Sequence, residues 1–181
     1  RFVDGYAWVS RYDYMTSSTD YYILDQFGGQ TKVAADQVTI QDTFSEGLVV
    51  AYRGGKAGFI NTKGEFEIDA VYDQANRFSG GLATASRDGK WGYINKQGRF
   101  VIPNRWEAAI TFRDDGQGIV FDRDEHTYKF IGRSGLTKAD MKWNVKPSVL
   151  GEPESVDEFF MHVREWNKLA DMWVTYIGYS E

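Results

Sequence analysis

The sequence predicts an all-β protein: about four antiparallel β-hairpin repeats in a solenoid-like array or curved sheet, capped by one C-terminal amphipathic α-helix. Three observations predict it. A 34-residue segment occurs twice in tandem, at 44–77 and 78–111. Aromatic content is 16%, with 19 Gly against only 3 Pro, which suits short strands joined by tight turns. A helical apolar period stands out only near the C-terminus.

The repeat comes first, because internal similarity at a fixed period fixes the architecture. Between 44–77 and 78–111, 15 of 34 positions are identical, among them Phe44/Phe78, Gly47/Gly81, Leu48/Leu82, Gly58/Gly92, Asn61/Asn95 and Gly64/Gly98. Phe112 opens a fourth, looser unit, in which Phe130-Ile131-Gly132 echoes Tyr93-Ile94-Asn95. The first unit opens at Phe2-Val3-Asp4-Gly5, and its Ile23-Leu24-Asp25 fills the slot of Tyr93-Ile94-Asn95. It carries about eight inserted residues, placed mostly around Tyr14 to Tyr21. The units are therefore about 1–43, 44–77, 78–111 and 112–146, and the array spans 1–146.

Within one copy, Asp88-Gly89 predicts a two-residue type I′ turn, which needs positive φ at both central residues. Trp91 to Asn95 is the return strand, Lys96-Gln97-Gly98 a second turn, and Arg99 to Pro103 a third strand whose ladder Pro103 stops. Asn104 to Ala109 reads as a connector that turns Trp106 and Ala109 inward. Gly92 beside Trp91 admits a ring or another backbone at close range. Trp91, Tyr93, Phe100 and Trp106 read as packing between repeats, with a binding face as the alternative. A single hairpin is marginal alone, so each copy must lean on the next.

These residues resemble the bacterial WG-repeat (KWG-repeat) family. Its pattern of F-x-x-G-L-A, G-K-W-G-Y-I-D, G-x-x-V-I-P and Y-x-x-A is met in the third copy by Phe78, Gly81-Leu82-Ala83, Gly89 to Asn95, Gly98, Val101-Ile102-Pro103, Trp106 and Ala109. The second copy departs at Ala57, in place of Trp, and the fourth has Tyr128-Lys129 for Trp-Gly. The resemblance covers about residues 2–140. It implies an all-β interaction or structural module without catalytic residues, often in extracytoplasmic or multidomain bacterial proteins, so a periplasmic or cell-surface location is favoured.

After a linker at 147–155, Ser155 and Glu158 fit a capping box that starts a helix. Phe159, Val163, Trp166, Ala170, Trp173 and Ile177 recur at steps of four and three, predicting a helix within 156–181, mainly Val156 to Ile177. Two readings stand: the helix covers an open end of the array, or it presents Phe159, Phe160, Trp166, Trp173 and Tyr176 to a partner.

Chemistry is sparse. The chain has no Cys, which excludes disulfides and thiolate metal sites. Its net charge of −5 without a basic stripe argues against a nucleic-acid surface. No apolar run reaches 18 residues, so no transmembrane helix is predicted. His126 and His162 lack a metal-ligand spacing, and Gly54-Gly55-Lys56 is a hairpin turn rather than a phosphate loop. Asp114-Asp115 and Asp122 to Glu125 read as solvated turns, with a Ca²⁺ site as the weaker option. Starting at Arg1 inside a repeat, the chain reads as a piece of a longer product. The expectation is a non-enzymatic module, without cofactor, that contacts a protein partner or larger assembly. Carbohydrate or cell-envelope binding through rings such as Tyr21-Tyr22 is the alternative, and an acidic-residue hydrolase a third.

Overall fold

The computed structural model describes residues 1–112, 116–125 and 127–135, with only the backbone of Thr127 and Tyr128. The predicted linker and helix, with Phe159, Phe160, Trp166, Trp173 and Tyr176, lie outside the described residues.

Among the described residues, fourteen strands form four antiparallel sheets that follow one another along the chain. The first holds β1 (Tyr6–Asp13), β2 (Ser18–Asp25) and β3 (Gln30–Lys32). The second holds β4 (Val38–Ile40), β5 (Leu48–Arg53), β6 (Lys56–Asn61) and β7 (Phe66–Tyr72). The third holds β8 (Gln74–Ala75), β9 (Ala83–Arg87), β10 (Lys90–Ile94) and β11 (Phe100–Trp106). The last holds β12 (Ala108–Ala109), β13 (Gln117–Asp122) and β14 (Thr127–Gly132). The connector expected at 104–109 is thus strand on both sides of Glu107. Its last piece joins the following sheet: β8 pairs with β9, and β12 with β13. Each copy lends its final strand to its successor, so neighbouring sheets interlock.

The twin copies share one register. Ala57, Phe59 and Ile60 face Tyr72, Ile68 and Phe66, while Trp91, Tyr93 and Ile94 face Trp106, Ile102 and Phe100. Both ladders break at the same place. On the third strand, 69–71 or 103–105 bulges out opposite a lone glycine, Gly58 or Gly92. This corrects the expectation that Pro103 ends its strand: bulged residues make no regular ladder bond, so a proline fits and β11 runs on to Trp106. The bulge also explains the glycine. A Cβ on Gly92 would stand 2.6 Å from the Ile102 carbonyl oxygen and 2.7 Å from Asn104 N, and one on Gly58 2.5 Å from the Ile68 oxygen. Of the two approaches the sequence allowed, backbone is the one made. In the first unit Tyr22 occupies this position, and there β3 pairs with β2 without a bulge.

The core lies between sheets. On β5, Val49 and Ala51 pack with Ile23, Val33 and Phe44 toward the first sheet, while Leu48 and Val50 pack with Phe59, Phe78 and Ala83 toward the third. The third and fourth sheets enclose Trp91, Tyr93, Ile102, Trp106, Phe112 and Val120. Trp91 and Trp106 are each only 3% exposed, which settles them as packing between repeats. Rings bridge the copies: Phe59 meets Phe78 at 4.8 Å, and Tyr93 meets Phe112 at 4.6 Å.

The inserted residues of the first unit lengthen its hairpin: β1 and β2 have 8 residues each, against 6 in β5 and in β6. Its tip leaves Tyr14 and Met15 86% and 94% exposed, beyond the reach of the next sheet.

One pair of substitutions shows how closely adjacent copies are matched. Phe59 is followed by Ala83 on the next unit, whereas Tyr93, which has an extra hydroxyl, is followed by Gly118 in the same register. The Tyr93 hydroxyl donates to the Ile110 carbonyl at 2.8 Å, and a Cβ on Gly118 would lie 2.5 Å from it. Gly118→Ala should therefore cost about 1–3 kcal/mol by overpacking. Combined with Tyr93→Phe, the same change should cost clearly less; denaturant unfolding of the four proteins in this double-mutant cycle measures the difference. Gly92→Ala should cost about 2 kcal/mol or more, because backbone has less room to yield than a side chain; its denaturation midpoint is the check.

Candidate functional site

The first three units each begin with a tight turn that the repeat comparison left unread. Asp4-Gly5, Glu46-Gly47 and Gly80-Gly81 all carry positive φ, with 54° and 82° at the second. The isolated bridges Val3↔Tyr6, Ser45↔Leu48 and Ser79↔Leu82 close them. These are two-residue turns of the same positive-φ kind as Asp88-Gly89, at 54° and 71°.

Successive opening turns are tied together. The Asp4 carboxylate accepts from the Glu46 N–H at 2.7 Å, and the Glu46 carboxylate accepts from the Gly81 N–H at 3.0 and 3.1 Å. Ser45 Oγ donates to the Phe78 carbonyl at 2.7 Å. Lys96 Nζ lies 3.3 Å from Glu46 Oε2 and donates to the Glu46 carbonyl at 3.1 Å. The third turn has no acid. Arg133 donates to the Gly80 carbonyl, and its guanidinium fills the space a side chain at Gly80 would need.

The turns line a groove of about 1240 Å³ that crosses the units. Its walls repeat at the 34-residue offset: Asp42, Asn76 and Ile110; Thr43, Arg77 and Thr111; Phe44, Phe78 and Phe112; with Arg1 and Val3 at one end. The three phenylalanines are buried, so the reachable surface is mainly polar side chains and backbone. Arg1 and Arg77 oppose Asp42 and Glu46, so neither sign of charge dominates.

Other motif residues are structural. Asn61 and Asn95 each accept two backbone N–H groups of the following turn, at 2.9–3.2 Å and 3.0 Å, and Asp25 does the same for Phe27 and Gly29. The motif lysine pairs with an acid on its own unit's exit: Lys56 with Asp73 at 2.6 Å, and Lys90 with Glu107. Hydrogen bonds from the Lys56 ammonium, and then from the Gly89 N–H, hold the Asp73 carboxyl below its ordinary 3.8. Burial pushes the Tyr93 phenol well up.

The remaining sequence candidates divide plainly. Asp122 and Glu125 are committed to Lys129, at 2.9 and 2.6 Å, which leaves the Ca²⁺ reading little support. Among the described residues no group of three potential metal ligands converges. Tyr21 packs on Trp8 with ring centres 5.7 Å apart, whereas Tyr22 lies under Arg11 and donates to Asp20, so the two rings form no common sugar platform. Gly54 and Gly55, at φ 59° and 76°, form the hairpin turn expected of them. His126, His162, Asp114 and Asp115 lie outside the described residues. Among those described, no helix is long and apolar enough to cross a membrane.

The family described as "WG containing repeat" matches residues 58–91 and 91–116. The match covers two adjacent repeats, residues 58–116. The matched stretches run from the bulge glycine of one unit through the tryptophan of the next and on to the groove residues 110–112. No curated protein matches the chain. A solved structure, a protein of unknown function from Bacteroides caccae, is similar at 17% identity and a TM-score of 0.34, over 66% of this chain and 52% of that one. The chain thus spans about half of that relative's length, and at this level the likeness carries no argument.

The Asp73 pair has a pH signature. A carboxyl held below its unfolded value of about 3.9 favours the native state above that value. The contribution disappears as pH falls through the lower, folded value. Stability should therefore drop on acidification below about pH 4, and Lys56→Met should move the Asp73 carboxyl back toward 3.8, as read by carbon-detected NMR titration.

Proposed function

We propose that this protein is a non-catalytic interaction module whose WG repeats present the groove along their opening turns to an extended segment of a protein partner. The observation that carries this reading is the groove's periodicity. Equivalent backbone turns and side chains recur along one line, which suits a ligand that is itself a chain with regularly spaced donors and acceptors. Balanced charge favours a mixed-charge polypeptide over a nucleic acid, whose backbone asks for a basic stripe. Asp73, Asp122 and Glu125 are held in ion pairs with lysines, which argues against a hydrolytic role for those acids. The engaged, opposed Tyr21 and Tyr22 take support from the carbohydrate alternative.

Arg77 is exposed on the groove wall and is suited to the test, with Thr111 across the next unit. In affinity capture from the native cell, Arg77→Glu with Thr111→Lys should remove a specific protein partner. A charge change at the opposite end of the β5–β6 hairpin, Arg53→Glu, should leave it bound. Equal capture by all three forms, or binding only to a glycan array, would defeat the proposal.

A further inference from the structure

We propose that the free edge of β1 is a docking site for a partner polypeptide, and that its occupant is an extended segment like the exit strands of these repeats, with Ala or a branched apolar residue set opposite Val9. The site is separate from the groove and does not depend on that reading. Three observations point there.

First, the same edge is filled in the other three sheets, each time in one register. The turn glycines Gly5, Gly47 and Gly81 align Val9 with Ala51 and Ala85, and Gly116 aligns it with Val120. Ile40 of β4 faces Ala51, Ala75 of β8 faces Ala85, and Ala109 of β12 faces Val120. The next residue of each added strand donates its N–H to the carbonyl just before that position: Gln41 to Val50, Asn76 to Thr84 and Ile110 to Ile119, each at 3.0 Å. The carbonyls just after it, of Ser86 and Phe121, accept from Asp73 and Glu107 at 2.9 and 3.1 Å. The equivalent groups on β1 belong to Trp8 and Ser10. Among the described residues β1 pairs with β2 alone, apart from the turn bridge Val3↔Tyr6, so the outward groups of Trp8 and Ser10 meet no strand.

Second, burial at this register accompanies the added strand and the copy it comes from. Ala51, Ala85 and Val120 are each 0% exposed, whereas Val9 is 43% exposed. The three added strands answer these positions with Ile40, Ala75 and Ala109, all apolar and all buried. A segment of the same chemistry beside β1 would take the Val9 side chain out of water, which is the sequence preference of the site.

Third, β1 lacks the devices that blunt an open edge, which are short length, a bulge or a proline. It has 8 residues and pairs with β2 one for one, from Tyr6↔Asp25 to Asp13↔Ser18, without a bulge. It is also held from behind, because the Trp8 indole N–H donates to the Asp42 carbonyl of the second unit at 2.7 Å. An incoming strand therefore meets acceptors and donors already in line, and little ordering of β1 opposes its binding. Two or three residues suffice to fill the equivalent edge in β4, β8 and β12.

The test adds a synthetic peptide with the sequence of residues 104–111, which contains the exit strand Ala108–Ala109, to the isotope-labelled full chain. NMR should show shifts centred on Trp8 to Tyr12, and at saturation the Ser10 amide should exchange at least tenfold more slowly. The same peptide N-methylated at the Ile110 position lacks the N–H aimed at the Trp8 carbonyl and should bind at least tenfold more weakly. Ser10→Pro removes an outward donor that β2 does not use and should abolish binding, while unchanged amide protection in β5 and β6 shows that the array still folds. Shifts at the groove residues Thr43 and Arg77 instead, no binding at millimolar peptide, or equal binding of the N-methylated form would overturn the proposal. So would Ser10 protection that rises with protein concentration alone, which places a second copy at the edge, or protection by residues preceding Arg1 in protein isolated from the native cell.

Discussion

The constraint on which this structure rests is that no copy owns a core. Each inner sheet is buried on both faces, and every large hydrophobic cluster draws side chains from at least two consecutive units. A three- or four-stranded sheet with two greasy faces is unstable alone, and stacking neighbours removes both faces from water at once. Stability is thus a property of contacts between copies. The lending of β8 and β12 to the following sheets turns those contacts into backbone hydrogen bonds as well.

That constraint explains which motif residues tolerate change. Gly58 and Gly92 are fixed by backbone lying against them, not by turn geometry. The tryptophan beside the glycine is a volume requirement: Ala57 stands there in the second unit and Trp91 in the third, and each is buried in its own interface. Tyr93 and Gly118 show the same bargaining across one interface, an added hydroxyl on one copy offset by a missing methyl on the next. The cost of a substitution in such an array is set by the neighbouring copy.

The groove is a by-product of the same stacking. Opening turns are brought into line because the phenylalanines just before them must reach the preceding copy's aromatic ring. Carboxylate-to-amide bonds from Asp4 and Glu46 then hold adjacent turns in step. A surface with recurring polar features thus arises from the stacking itself.

The repeat period, the Asp88-Gly89 and Gly54-Gly55 turns and the all-β character were legible in the sequence, because identity at a fixed offset and residues able to hold positive φ are local signals. The opening turns at Glu46-Gly47 and Gly80-Gly81 were less visible. Their signal was the shared Ser-x-Gly-Leu at 45–48 and 79–82, and a glutamate at φ 54° does not announce a turn by its residue type. The continuation of β11 past Pro103 was hidden, because a proline forbids a ladder bond and only the bulge opposite Gly92 removes the need for one. The groove was hidden too: its walls lie 34 residues apart, and sequence places them in the same class without placing them side by side. The sequence by itself determined that one hairpin is copied and must be covered. Tertiary structure decided that the cover is the next copy's sheet, that strands are lent across the joint, and which turns line the groove, because burial of a two-faced sheet is settled only when its neighbours arrive.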